Sequence, residues 1–314
     1  MNKNMEIQTA LDKVHQVFSD ATAITLFEAQ EIADSQLKLY ESERRLIELI
    51  SEHQAEVPHR FRAVNLLVPD LCAEERKFIT LSGAFCEGSS FLNVLNQNFN
   101  SQICWQLVNA YELFEVFLKD MYAVLGHFDN NLWPCADYGS LRINELGGQD
   151  LQWFRTAAKK LMDKGSDQVL KRMHDILPRL SEIERNNPMN CNLSFLLALI
   201  GNLRHVIVHK RGKVNLQEFT EATLKKVGLA MAAESSRPAI ENIELHFVQQ
   251  PSGEYYNVEI VDLFSHTGGG NANLLRKLNH LVDILASYSA VIYELATIHF
   301  GIEPIWKRQK SNSE

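Results

Sequence analysis

LSFLLALIGNLRHVIVHKRG, residues Leu193–Gly212, is the stretch whose reading decides the fold class. On a helical wheel at about 100° per residue, Leu193, Leu196, Leu197, Ile200, Leu203 and Ile207 form one apolar face. Phe195, Leu199 and Val206 widen it until the helix is buried over most of its circumference. A narrow stripe is left, made of Ser194, Ala198, Gly201, Asn202, His205 and His209. Small residues let another helix approach closely, so the stripe reads as a contact surface with two histidines at its end. Gly212 closes the helix as a C-terminal cap would. Arg204 lies between the stripe and the apolar face. A charge is costly to bury unpaired, so its guanidinium must find an anion or a carbonyl.

Helical periodicity continues on both sides. From about Leu26 to His53 the chain reads as one long surface helix, with Ile32, Leu37, Tyr40, Ile47 and Ile50 among many Glu, Gln and Arg residues. Pro58 and Pro69 break the pattern, and FRAVNLLV and KFITLSGAF, between Phe61 and Phe85, fit either short strands or helix ends. Gly88-Ser89-Ser90 marks a turn and a candidate domain start. After Asn100, Ile103, Leu107, Tyr111, Phe114, Leu118, Met121 and Leu125 recur at spacings of three and four, and Gly126 ends the run. Glu112, Glu115 and Lys119 share a different face of that helix. A loop-like segment then leads to a basic helix carrying Arg155, Lys159, Lys160, Lys164, Lys171, Arg172 and Arg179. Beyond Gly212, IELHFVQ and YYNVEIVD alternate around Pro251-Ser252-Gly253 as a β-hairpin. A last helix runs from Asn273 to about His299, and a polar, frayed tail follows. The expected architecture is mainly α. It has a largely helical extension over 1–88, an antiparallel helical bundle over 89–303, and a tail over 304–314. The bundle carries a basic insertion at about 127–190 and a small β-hairpin at about 243–262.

With a net charge of −8, a nucleic-acid partner would need a local basic patch rather than the overall field. Lys210, Arg211 and Lys213 supply a candidate patch, and they also complement the negative end of the helix dipole. Cys72, Cys86, Cys104, Cys135 and Cys191 are odd in number and never closely spaced. Neither a zinc pattern nor a disulfide framework follows, and the expected compartment is a reducing cytoplasm. MNKNMEIQTALDKV lacks an apolar signal core, and no apolar run reaches membrane-spanning length, so no membrane partner is expected. Gly268-Gly269-Gly270 precedes a helix, but no strand feeds it at the spacing a phosphate loop requires, and no cofactor is expected.

The residues alone leave alternatives for the motif. Arg204 can be a structural arginine paired with Glu112 or Glu115, with the histidines as ordinary interface residues. His205 and His209, one turn apart, can be metal ligands, but they lack the neighbouring Glu of a zincin motif and a third ligand, so no metal is expected. The third alternative is a catalytic site.

The same stretch resembles the signature of the HEPN superfamily: Arg, a polar residue, three mostly apolar residues, then His. Here these are Arg204, His205, Val206-Ile207-Val208 and His209, and the resemblance covers roughly Ser89 to Phe300. It implies a HEPN-like helical bundle with the motif near a helix end. It also implies an acidic or polar residue from an earlier helix such as QLVNAYELFEVFLKDMY, for which Glu112 and Glu115 are the candidates. It further implies a homodimer through the motif helix and a metal-independent endoribonuclease. Such an enzyme would serve as a toxin or an antiphage, abortive-infection effector, restrained by an antitoxin or other regulatory protein. The residue chemistry suits that role. The His209 imidazole can move the proton of an RNA 2′-hydroxyl or of the leaving 5′-oxygen. The forked guanidinium of Arg204 can hold the phosphodiester as charge grows on it. Arg204 and His209 are five residues apart, about 140° around a helix, so two copies would present them to one phosphate better than one copy does. His205 and Asn202 are expected to support the pair. Two other functions compete: a non-catalytic HEPN module that binds a nucleotide, an RNA or a protein, and a purely structural helical dimer.

Overall fold

The structure is a computed structural model that describes residues 2–52, 62–69, 78–86, 88–250, 253–262 and 274–311. Its elements begin with α1 (Lys3–Glu52), β1 (Arg62–Pro69), β2 (Phe78–Cys86) and α2 (Gly88–Phe128). Short helices α3 (Ile143–Leu146), α4 (Leu151–Met162), α5 (Ser166–Ile176) and α6 (Arg179–Arg185) come next. After them come α7 (Leu193–Lys210), β3 (Lys213–Val214), α8 (Leu216–Lys226), α9 (Arg237–Glu244), β4 (Phe247–Gln249) and β5 (Tyr256–Val258). The described chain closes with α10 (Arg276–His299) and α11 (Ile305–Ser311). The fold is mainly α, as the periodicity leads one to expect.

The chain forms two compact units, and α1, α2 and α10 each contribute to both. The larger unit comprises Met1–Glu28, Cys104–Ile260 and Lys277–Glu314; the smaller comprises Ala29–Ile103 and Val261–Arg276. Three of the four divisions fall inside long helices and none falls at Gly88, which lies in the first turn of α2 instead of a loop. In the smaller unit, β1 and β2 pair antiparallel with an irregularity between Leu66 and Leu67, which resolves the strand-or-helix ambiguity in favour of strands.

In the larger unit, Ile7, Leu11, Val14 and Phe18 recur at helical spacing on α1 and are buried, so the helix starts at Lys3 rather than near Leu26. Phe18 meets Phe114 and Phe117 of α2, and Phe114 meets Tyr288 of α10 edge-on at 5.9 Å. Each such buried aromatic contributes about 1.5–3 kcal/mol through loss of apolar surface to water. By length and composition α10 could cross a membrane, unlike the expectation that no run is long enough. Yet 61% of that stretch is buried inside its own fold, as in a core helix.

Three further expectations are corrected. The basic segment is three helices, because Gly165 adopts φ 124° before α5 and Pro178 intervenes before α6. The hairpin is confined to β4 and β5, with Ile243 in α9, and β3 adds a third antiparallel strand in the order β3-β5-β4. Pro251, Ser252 and Gly268-Gly269-Gly270 lie outside the described residues. The tail is not frayed over its described part: it forms α11. There, Arg308 Nη2 binds both oxygens of Asp12 at 2.8 and 2.6 Å, and the Ile305 N–H donates to the Tyr293 hydroxyl at 3.0 Å.

Gly126 does not end α2, which continues to Phe128; it makes room for Trp133. A Cβ at Gly126 would lie 2.1 Å from Trp133 Nε1, the atom that donates to the Tyr122 carbonyl at 3.0 Å. Trp133 is buried and stacked on Tyr122 at 4.6 Å, so it has nowhere to retreat. Gly126→Ala is therefore expected to cost about 2–3 kcal/mol of stability, lowering Tm by about 5–10 °C in a melt followed by circular dichroism. An unchanged Tm would show that Trp133 can shift without loss.

Candidate functional site

α7 starts where the Asn192 side chain accepts the Phe195 N–H at 3.0 Å. It ends in two left-handed residues, Arg211 (φ 53°) and the expected Gly212 (φ 77°), and the Gly212 N–H returns to the Val206 carbonyl at 3.1 Å. Gly212 then accepts the Val258 N–H, and Lys213 pairs with Asn257, so the chain leaving the helix is fixed on the small sheet. Lys210, Arg211 and Lys213 are all exposed there.

The apolar face of α7 is buried as expected, but the small stripe does not stand free. Ser194 donates to Glu184 at 2.7 Å, and Gly201 faces Tyr111, whose hydroxyl would lie 3.0 Å from a Cβ at that position. Asn202 Nδ2 donates to Thr223 Oγ1 on α8 at 2.8 Å, so it ties two helices together rather than propping the motif. The exposed end of the stripe is His205 and His209, with ring centroids 4.8 Å apart.

Arg204 turns toward α2. Its Nη2 lies 3.4 Å from Glu112 Oε1, while its buried Nε has no hydrogen-bond partner among the described residues. With the two side chains 27% and 54% exposed, this long contact contributes at most about 1 kcal/mol. The fork therefore retains donors for an anion. Glu115, the other acidic candidate, is half-buried. Burial pushes its carboxyl above the usual range, against the pull of the Ser166 hydroxyl and Arg204, and Glu112 and Asp167 add to the rise. Both acids thus reach the arginine's neighbourhood, with Glu112 in contact and Glu115 beside it. Partial burial, followed by repulsion from His209, Lys210, Lys226 and Arg204, holds the His205 imidazole below its ordinary value. Among the described residues, no three His, Cys, Asp or Glu side chains converge as metal ligands do.

No protein-family model, curated protein or solved structure matches this chain. The site's chemistry has to be read from its own groups.

Sequence reasoning missed a second group of residues around α7. A cavity of about 290 Å³ is lined by Tyr111, Phe114, Lys171, His174, Glu184 and Lys226, with Ser194, Ala198 and Gly201 from the stripe. Glu184 is 4% exposed and accepts from His174 Nε2 and Ser194 Oγ, each at 2.7 Å, and from the Tyr288 hydroxyl. One signal was available: Glu184 follows Leu177 and Leu180 at helical spacing, where the pattern calls for an apolar residue. The basic run does not form one stripe. Arg155 lies 3.7 Å from Asp120, Arg172 grips Asp137 at 2.9 and 3.1 Å, and Lys171 faces the cavity.

Proposed function

We propose that this protein is a metal-independent endoribonuclease of HEPN type, cutting single-stranded RNA at a site built on Arg204 and His209. The observation that carries the reading is the exposed end of α7. There, an arginine whose outer nitrogens make one long contact, to Glu112 at 3.4 Å, two adjacent imidazoles and the cations Lys210, Arg211 and Lys213 occupy one short segment of an otherwise acidic chain. Arg204 holds a non-bridging phosphate oxygen, and His209 takes the 2′-hydroxyl proton or delivers one to the 5′-oxygen. The 2′-oxygen attacks phosphorus and the bond to the 5′-oxygen breaks, leaving a 2′,3′-cyclic phosphate and a 5′-hydroxyl. Lys210, Arg211 and Lys213 take flanking phosphates. Two copies meeting at His205 and His209 would complete the cleft, and a toxin or abortive-infection role fits an enzyme that cuts cellular or invading RNA.

The test is direct. Purified protein is expected to cut single-stranded RNA in EDTA, to leave 2′,3′-cyclic phosphate ends, and to spare DNA of the same sequence. Cleavage of both nucleic acids, or RNA products ending in a free 3′-hydroxyl, would remove the 2′-oxygen as nucleophile and end this reading.

A further inference from the structure

The cavity beside α7 shares residues with the motif's surroundings. Gly201, on its wall, precedes Arg204 by three residues, a rise of about 4.5 Å along the helix. Tyr111 feels the charge of Arg204, and His205 feels that of Lys226. At about 290 Å³ the space matches a flat heterocycle rather than a large ligand. Phe114, Leu197 and Tyr288 supply apolar walls.

Its polar floor is a built carboxylate. Glu184 Oε1 receives His174 and Tyr288, and Oε2 receives Ser194. A carboxylate accepts about four hydrogen bonds, so one position on Oε2 is open to a further N–H. Burial alone would raise the Glu184 carboxyl, but the three donors hold it below its ordinary range, so it is ionised and purely an acceptor. Lys171 and Lys226 line the same space as donors, and Asp167, 4.0 Å from Lys226, is a second acceptor.

We propose that this cavity binds a guanine base, which rests on the reading of RNA as substrate and places the specificity of cleavage at nucleotides next to guanine. Among the four RNA bases, guanine presents two adjacent N–H donors, N1–H and the 2-amino group, beside a carbonyl. The donors suit Glu184 and Asp167, and the carbonyl suits a lysine ammonium. Adenine and cytosine place a ring acceptor where guanine has N1–H, and uracil's single N–H sits between two carbonyls. A buried carboxylate facing either arrangement would be left against an acceptor, the mismatch that makes polar pockets selective.

Calorimetric titration with the four nucleosides tests this, because nucleosides carry no phosphate for the motif's cations to hold. Guanosine is expected to bind at least tenfold more tightly than adenosine, cytidine or uridine. Ala198→Leu, which fills the cavity from α7 with a strong helix former, is expected to weaken guanosine at least tenfold while the melt stays cooperative. Glu184→Gln, which keeps the shape and removes the ionised acceptor, is expected to erase the preference for guanosine. Equal binding of all four nucleosides, no binding at millimolar concentration, or full guanosine affinity in Ala198→Leu would overturn the proposal. Guanosine binding without RNA cleavage would leave the cavity assigned and sink the nuclease reading. Cleavage without preference for phosphates next to guanine would do the reverse.

Discussion

His209→Ala is expected to slow RNA cleavage by about 10²–10⁴-fold, the range associated with removing a general acid or base. His209 is exposed at the end of α7, so the variant should keep the wild-type melt and circular dichroism. Arg204→Ala is a poorer test, since the buried Nε means that the side chain also packs. Arg204→Lys keeps the charge and loses the bidentate fork, and a loss of at least about tenfold is expected. Mixing the two variants asks whether the site is shared. If Arg204 of one copy works with His209 of the other, mixed dimers rebuild one intact pair and part of the lost rate returns. No recovery, in a preparation that sediments as a dimer, would assign both groups of a working site to the same copy. Full activity in His209→Ala, or loss of wild-type activity in EDTA, would turn the reading toward a binding module.

The second large effect concerns acid stability and sits away from the motif. His246 is 3% exposed, its Nδ1 has no partner among the described residues, and burial, with Lys277 and His280 adding repulsion, lowers its pKa to about 4. The unfolded chain, with an ordinary value near 6.5, binds the proton more readily than the folded one. Stability from this residue is therefore fully present above pH 6.5 and is lost as the pH falls toward 4. Over that interval the loss is about 3 kcal/mol. Denaturant unfolding at pH 7 and pH 4 is expected to show His246→Leu losing about 3 kcal/mol less than the wild type. Parallel losses in the two proteins would mean that the His246 site admits the proton and relaxes around it.

Legibility in the sequence followed the physics of each element. α7 could be drawn residue by residue because burial over most of its circumference leaves a strong periodic signal, and its polar exceptions, Arg204, His205 and His209, stand out against it. α10 and the middle of α2 were visible for the same reason. The first half of α1 was hidden because Ile7, Leu11, Val14 and Phe18 are diluted by charged neighbours, and the rings that meet Phe18 come from α2, far along the chain. The short helices α4 to α6 ran together because a basic face repeats across their breaks, and Gly165 and Pro178 were the overlooked punctuation. At the site, spacing narrowed the partner of Arg204 to Glu112 or Glu115 but could not separate them, since both lie on one side of α2 and only packing decides reach. Glu184, Lys226 and Ser166 come from three separate segments, and no local pattern announces a convergence made by tertiary contacts.

The bond between Arg308 and Asp12 spans 296 positions of sequence. Tyr293 also binds Asp12, and Trp306 meets Tyr293 edge-on at 5.2 Å. Closing so long a loop is entropically slow, and contacts of this separation lower folding rates. During synthesis, the start of α1 emerges long before the residues around 308 and waits for them before its final partners exist. Until then, Ile7, Leu11, Val14 and Phe18 are an amphipathic helix without its complete seat, open to chaperones and to other nascent chains.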